Sequence, residues 1–382
     1  MPDRANHSRV TVSVMLLLFS AAGLSARERP QPDTLLLKDF RPESVYRTPQ
    51  TAVPKAKYPA IDMHAHVYAR TAEQVDGWVR LMDQARVEKA VVLTGVTGKA
   101  FDDVCALYAG HRDRFELWCG FDYTGYDQPG FGPAAVKELE RCYKMGARGV
   151  GELGDKGRGL FYCKPPALGM HLDDPRMDPL LEKCAELRMP VNIHVADPYW
   201  MYLPMDAKND GLMNAYTWRL DNQPDIVGHN GMMEILERAV KRHPRTTFVA
   251  CHFANCCYDL DRLGRMFDNG PNLYADISAR FAEVAAIPRA AGRFCEKYAD
   301  RLVYGTDMHC SLDTYRITFR ILESADEHFY AWNHFSYHWP LYGLALNDEG
   351  LVKIYRANAL KIFGTRGPGL ASVESGRIVS GP

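Results

Sequence analysis

From residue 60 onward, short apolar runs alternate with stretches whose apolar positions recur every three to four residues. The runs span 60–68, 90–96, 116–123, 147–153, 190–195, 246–253, 272–278 and 302–306. Between them, 71–86, 133–145, 175–189, 232–243 and 281–298 read as amphipathic helices. Gly146 and Pro190 stand where two of these helices must stop. Apolar runs of four to eight residues, each followed by a helix, are the pattern of a parallel sheet covered on both faces. Eight such units predict a single-domain α/β chain, a (β/α)8 TIM barrel over 60–364. A doubly wound sheet would carry a glycine-rich phosphate loop after its first strand, and none is present.

Three segments break the repeat. Residues 199–230, between the fifth and sixth runs, hold Tyr199, Trp200, Met201, Tyr202, Tyr216 and Trp218. An aromatic insertion there would overhang the carboxyl end of the barrel as a pocket wall or lid. It is equally suited to a contact between copies in a homo-oligomer. Residues 27–59 are proline-rich with little periodicity and read as an arm or linker; 351–364 read as a closing helix and 365–382 as a tail. At the start, Arg4, His7 and Arg9 precede the apolar run 10–18, and Ser25 and Ala26 follow it. A basic start, apolar middle and small-residue end form a secretory signal peptide over 1–26, so the expectation is an exported protein, periplasmic or secreted. The apolar part is too short to span a bilayer comfortably, so no stable membrane insertion is expected.

Composition narrows the function. The 382 residues carry 46 Lys+Arg against 47 Asp+Glu, with 47% hydrophobic residues. That is globular composition, and it excludes disorder. No basic surplus exists to neutralise phosphates, so nucleic acid is not the expected partner; a small-molecule substrate is. The 10 cysteines show no tight framework spacing, and a core of this size needs no staples. They read as buried free thiols.

Barrel active sites lie at the carboxyl ends of the strands. There the sequence places Asp62, His64 and His66, then Glu152, His194 with Asp197, His252, Asp276 with Arg280, and Asp307 with His309. Ionisable groups in such places are costly unless paired or coordinated. His64 and His66, two apart on a strand, point to the same side of the pleat and make half of a metal site. His194 would add a third nitrogen and Asp307 a carboxylate. Three histidines and one aspartate with an open position suit a divalent metal, Zn²⁺ first, with Mn²⁺ or Fe²⁺ on the same ligands.

Asp62-Met-His-Ala-His66, His194, Cys251-His-Phe253, Gly305-Thr-Asp307 and Asn358-Ala-Leu-Lys-Ile-Phe-Gly364 occur in the order found in the amidohydrolase superfamily of metal-dependent hydrolases. The chain resembles its amidohydrolase-related (amidohydrolase 2) branch, which includes aminocarboxymuconate semialdehyde decarboxylase, over about 58–364. By that resemblance His64, His66, His194 and Asp307 would hold the metal. His252 would polarise the substrate or position the water, and Asp307 would shuttle the proton. Glu152, in Gly149-Val-Gly-Glu-Leu-Gly154, departs from the single-metal decarboxylase pattern and resembles the Gly-Glu segment of TatD-like nucleases, where such a glutamate helps hold two metals. The centre therefore takes one ion, or two if Glu152 is a ligand; otherwise Glu152 pairs with Lys156 or Arg148.

Such a centre predicts metal-activated water attacking the carbonyl of a C–N or C–O bond. A decarboxylase or lyase acting on a carboxylated aromatic or enol substrate is the alternative. Arg280 would clamp a substrate carboxylate or else pair with Glu283. A solute-binding protein would not need the inward ligand set. His334 and His338, four apart, have chelating spacing on a helix, but their aromatic setting favours packing. His111, His171, His229, His243 and His328 read as surface or packing residues.

Overall fold

The computed structural model describes residues 32–364. The expected signal peptide over 1–26 and the tail over 365–382 lie outside these residues. Ten strands form in chain order: β1 (Ala60–Ala65), β2 (Val87–Leu93), β3 (Phe115–Trp118), β4 (Val150–Asp155), β5 (Gly159–Leu160), β6 (Ala167–Leu168), β7 (Val191–Val195), β8 (Phe248–Ala250), β9 (Leu273–Asp276) and β10 (Leu302–Val303). All pairings are parallel along β1-β2-β3 and along β4-β7-β8-β9-β10. A parallel bridge from Cys119 to Val150 joins the two sheets on one side. On the other, Met63 N donates to Tyr304 O at 2.9 Å and Asp307 N to His64 O at 2.8 Å. The eight parallel strands thus close into the (β/α)8 barrel.

The strands read as near-continuous apolar runs because both faces are covered. Ile61, Met63, Val91, Leu93, Trp118, Val249, Tyr274 and Val303 form one cluster with Ala359 and Ile362 of the helix Asn358–Gly364. A second, larger cluster joins the strands to the surrounding helices. Local chemistry sets the helix ends: Thr71 accepts from Gln74 N to cap Ala72–Ala85, and Gly146 takes φ +118 to end Pro133–Met145.

The structure modifies three features of the sequence pattern. Antiparallel β5 and β6 form a small flap after β4 that the periodicity did not announce. The amphipathic run 281–298 is two helices, Phe281–Ala286 and Pro288–Lys297, because Pro288 must open a helix rather than continue one. Residues 351–364 are helical throughout but pass through a π segment at Lys353–Ala357. No described helix is long and apolar enough to cross a membrane.

Among the described residues, 32–40 and 41–364 fall into separate units. In the first, Leu37–Asp39 form a single 3-10 turn. In the second, residues 41–59 lie along the barrel rather than free of it: the Asp326 carboxylate accepts from Thr51 N at 2.8 Å and Thr51 Oγ1 at 2.6 Å, and Ala56 is buried. All ten cysteines are free, and nine are buried.

Candidate metal centre

The strand ends meet in a cavity of about 670 Å³ whose lining includes His66, Glu152, His194, His252 and Asp307. β1 shifts register between Asp62 and Ala65; His64 lies within this stretch and His66 directly follows the strand. Asp62 staples β1 to the segment after β10: its Oδ1 accepts from His64 N (3.1 Å) and Thr306 N (3.0 Å), and its Oδ2 from Thr306 Oγ1 (2.7 Å). Gly305 permits this approach, since a Cβ there would lie 2.8 Å from His64 Cβ.

Three of the four barrel histidines are anchored through Nδ1. His64 Nδ1 lies 2.9 Å from Asp276 Oδ2, His66 Nδ1 lies 3.1 Å from Leu93 O, and His252 Nδ1 lies 3.0 Å from Ser278 O. A carbonyl oxygen only accepts, so His66 and His252 carry a proton on Nδ1 and turn Nε2 toward the cavity. These Nε2 atoms converge on two carboxylates. Asp307 Oδ1 is 2.9 Å from His66 Nε2 and 3.6 Å from His64 Nε2, and Asp307 Oδ2 is 3.6 Å from His252 Nε2. Glu152 Oε1 is 2.8 Å from His194 Nδ1, 3.7 Å from His252 Nε2 and 4.0 Å from His64 Nε2; its Oε2 is 3.5 Å from His66 Nε2.

Buried His64 Nε2 has no hydrogen-bond partner. An orphaned buried nitrogen facing two carboxylates is the signature of a site shaped for a cation. His64, His66 and Asp307 form one ligand group; His64, Glu152, Cys251 and His252 form another. The donor set fits a divalent ion.

The electrostatics agree. Burial disfavours the charged form of His64, yet Asp276, Asp307 and Glu152 outweigh it and raise its pKa to about 10. Burial opposes the charge of Asp307 as well, and His64, His66 and His252 hold its carboxyl well below the usual range. Glu152 behaves alike, held down by His194 and His252. Burial lowers His252 to about 4.

The remaining candidates divide. His194 is held at both nitrogens, with Nε2 3.2 Å from Asp197 Oδ1; Lys156 Nζ sits 2.9 Å from Asp197 Oδ2. Lys156 therefore pairs with Asp197, and Arg148 donates to the carbonyls of Tyr143 and Ala147, which leaves Glu152 to the centre. Arg280 lines the cavity, but its fork is spent on Asn255 Oδ1, from Nε at 2.9 Å and Nη2 at 2.7 Å, and its Nη1 is 3.8 Å from Glu283. It is a part-buried cation in the wall, not a free clamp. Met201, Asn214 and Trp218 of the 199–230 insertion line the cavity. His334 and His338 do not share a helix; His334 lines the cavity, while His338 faces Asp210 at 3.8 Å. All five histidines read as packing or surface residues have partners distant in sequence: Asp76 for His111, Asp155 for His171, Asn255 O for His229, Asp178 and Glu182 for His243, and Ser44 for His328.

Sequence reasoning passed over Ser278, Asn255 and Cys251. Ser278 Oγ lies 2.8 Å from His252 Nδ1, 3.1 Å from His64 Nδ1 and 2.5 Å from Asp276 Oδ1, so it ties two barrel histidines to one carboxylate. Its place two residues after Asp276 was the available signal.

A family model described as amidohydrolase (Amidohydro_2) matches residues 61–365. No curated protein shows significant similarity to the chain. Among solved structures, an uncharacterized TIM-barrel protein from Bordetella bronchiseptica is 18% identical, with a TM-score of 0.49 over 80% of this chain and 98% of that one. A 5-carboxyvanillate decarboxylase from Sphingomonas paucimobilis is 13% identical, with a TM-score of 0.49 over 81% and 99%. A zinc-bound amidohydrolase from Burkholderia multivorans is 11% identical, with a TM-score of 0.45 over 80% and 99%. With the family model matching residues 61–365, the span of the barrel, this chain belongs to the amidohydrolase family.

Proposed function

We propose that the protein is a metal-dependent hydrolase that cleaves a C–N or C–O bond at the carbonyl of a small molecule. The observation that carries this reading is the position of Glu152, whose two oxygens face all four barrel histidines. A carboxylate placed there is suited to two cations at once. His64, His66 and Asp307 would hold one, and Glu152 and His252 with the shared His64 the other, while His194 braces Glu152; the nitrogen and oxygen donors suit Zn²⁺. A divalent ion in such a site supplies Lewis acidity, bringing the pKa of a water towards neutrality and polarising a carbonyl.

The side chains supply the proton transfers. Asp307, held ionised, accepts the proton of the attacking water and returns it to the leaving group. His252 faces the cavity through an unprotonated Nε2, so it acts as a lone-pair donor or base. Arg280 places a fixed positive charge in the cavity wall, favouring a substrate with an anionic group.

A second reading, decarboxylation of a carboxylated aromatic, is supported by the wall that Tyr162, Trp218, Phe335 and Tyr337 form beside Lys156 and Arg280. The resemblance to the branch that includes aminocarboxymuconate semialdehyde decarboxylase points the same way. Product analysis on the metal-loaded enzyme separates the two: an acid with an amine or alcohol supports hydrolysis, and carbon dioxide release replaces it with decarboxylation. We assign the enzyme to the periplasm or the medium on the pattern of residues 1–26; an unprocessed N-terminus on cytosolic protein would overturn that assignment.

A further inference from the structure

We propose that Cys251 is a thiolate ligand of the inner cation position, beside Glu152 and His252, and that this sulfur makes the position select zinc or cobalt over manganese or magnesium. The proposal rests on the metal-centre reading above and adds the ligand that determines which ion is taken. Cys251 directly follows β8 and is buried. Its amide donates to Ile193 O at 2.9 Å, which fixes the backbone against β7 at the base of the centre. Its Sγ lies with the ligand atoms of His64, Glu152 and His252 in a set whose members are all within 4.8 Å of one another. Metal bonds of about 2.0–2.3 Å place tetrahedral ligands roughly 3.3–3.8 Å apart, so a contraction of about 1 Å converts this set into a coordination sphere.

A second observation points to the same space. His64 Nε2 is buried, has no partner and belongs to this set. The thiol lies 3.0 Å from Asn192 Oδ1 on one side and faces Glu152 on the other. As the sulfur–metal bond forms, the S–H bond breaks and its proton leaves through the cavity to solvent; no electron transfer is involved. Thiolate is a soft donor, and mixed N/O/S sets favour zinc and cobalt, whereas all-oxygen sets suit manganese and magnesium.

Metal-free full-length protein titrated with Co²⁺ provides the test. A sulfur-to-cobalt charge-transfer band in the near ultraviolet is expected, lost in Cys251→Ser and kept in Cys310→Ser. The preference for Zn²⁺ over Mn²⁺ in competition should fall at least tenfold in Cys251→Ser. Zinc-edge X-ray absorption on the unmodified protein gives a reading that needs no variant, with a sulfur scatterer at about 2.3 Å expected. Stoichiometric cobalt with no charge-transfer band, zinc with no sulfur neighbour, or a band that survives Cys251→Ser overturns the thiolate ligand and leaves the metal centre standing. Failure to bind either ion overturns both.

Discussion

Asp276 Oδ2 lies 2.9 Å from His64 Nδ1, and both side chains are wholly buried. The pair turns the other nitrogen of His64 toward the cavity and raises its basicity. Replacing Asp276 with Asn keeps the volume but removes the charge. We predict a 10–100-fold loss of metal affinity, read by competition with a chelator, with the fold preserved by circular dichroism. Unchanged affinity would show that His64 is oriented by other contacts.

Glu152 faces every histidine of the centre. Glu152→Gln should lower the metal content of purified protein from two ions per chain to one, measured by elemental analysis, and lower turnover by at least 100-fold. Equal metal content in the two proteins would remove Glu152 from the ligand set.

Burial lowers His229 to about 4, with its Nε2 held 3.0 Å from Asn255 O. The unfolded chain protonates this imidazole near 6.5, so as pH falls the unfolded state binds the proton first. The stability this group confers is whole above about 6.5 and is lost between about 6.5 and 4, to a total of roughly 3 kcal/mol. Urea midpoints should therefore fall more steeply over that window for the wild type than for His229→Gln. Parallel slopes would refute the assignment.

Residues His252, Phe253, Ala254 and Asn255 all have positive φ, a backbone that costs non-glycine residues about 1–2 kcal/mol each. Asn255 offsets this: its Nδ2 donates to Val195 O and Ala196 O at 2.9 and 3.3 Å, and its Oδ1 holds Arg280. Asn255→Ala should cost about 2 kcal/mol by denaturant unfolding, because it removes the acceptor of Nε and Nη2 of the part-buried Arg280 and the bonds to Val195 O and Ala196 O. A loss under 1 kcal/mol would show that water or another group takes over.

Much of this molecule is legible in one dimension. The (β/α)8 architecture follows from the alternation of runs and amphipathic stretches, because each unit buries its own apolar stripe against the next strand. His64 and His66 were visible as a pair because side chains two apart on a strand share a face. Glu152 was visible as an acid within the end of one apolar run and Asp307 as an acid directly after another.

Only the tertiary structure decided which atom of each residue does what. The partner of His64 is 212 residues away, the fork of Arg280 is taken by an asparagine rather than left for substrate, and Lys156 pairs with Asp197 rather than Glu152. Cys251 looked like a small apolar filler until closure of the barrel brought it beside Glu152 and His252. The physical reason is the range of the forces. Burial patterns are written into neighbouring residues, whereas hydrogen bonds and ion pairs act over about 3 Å between groups that only the closed barrel brings together.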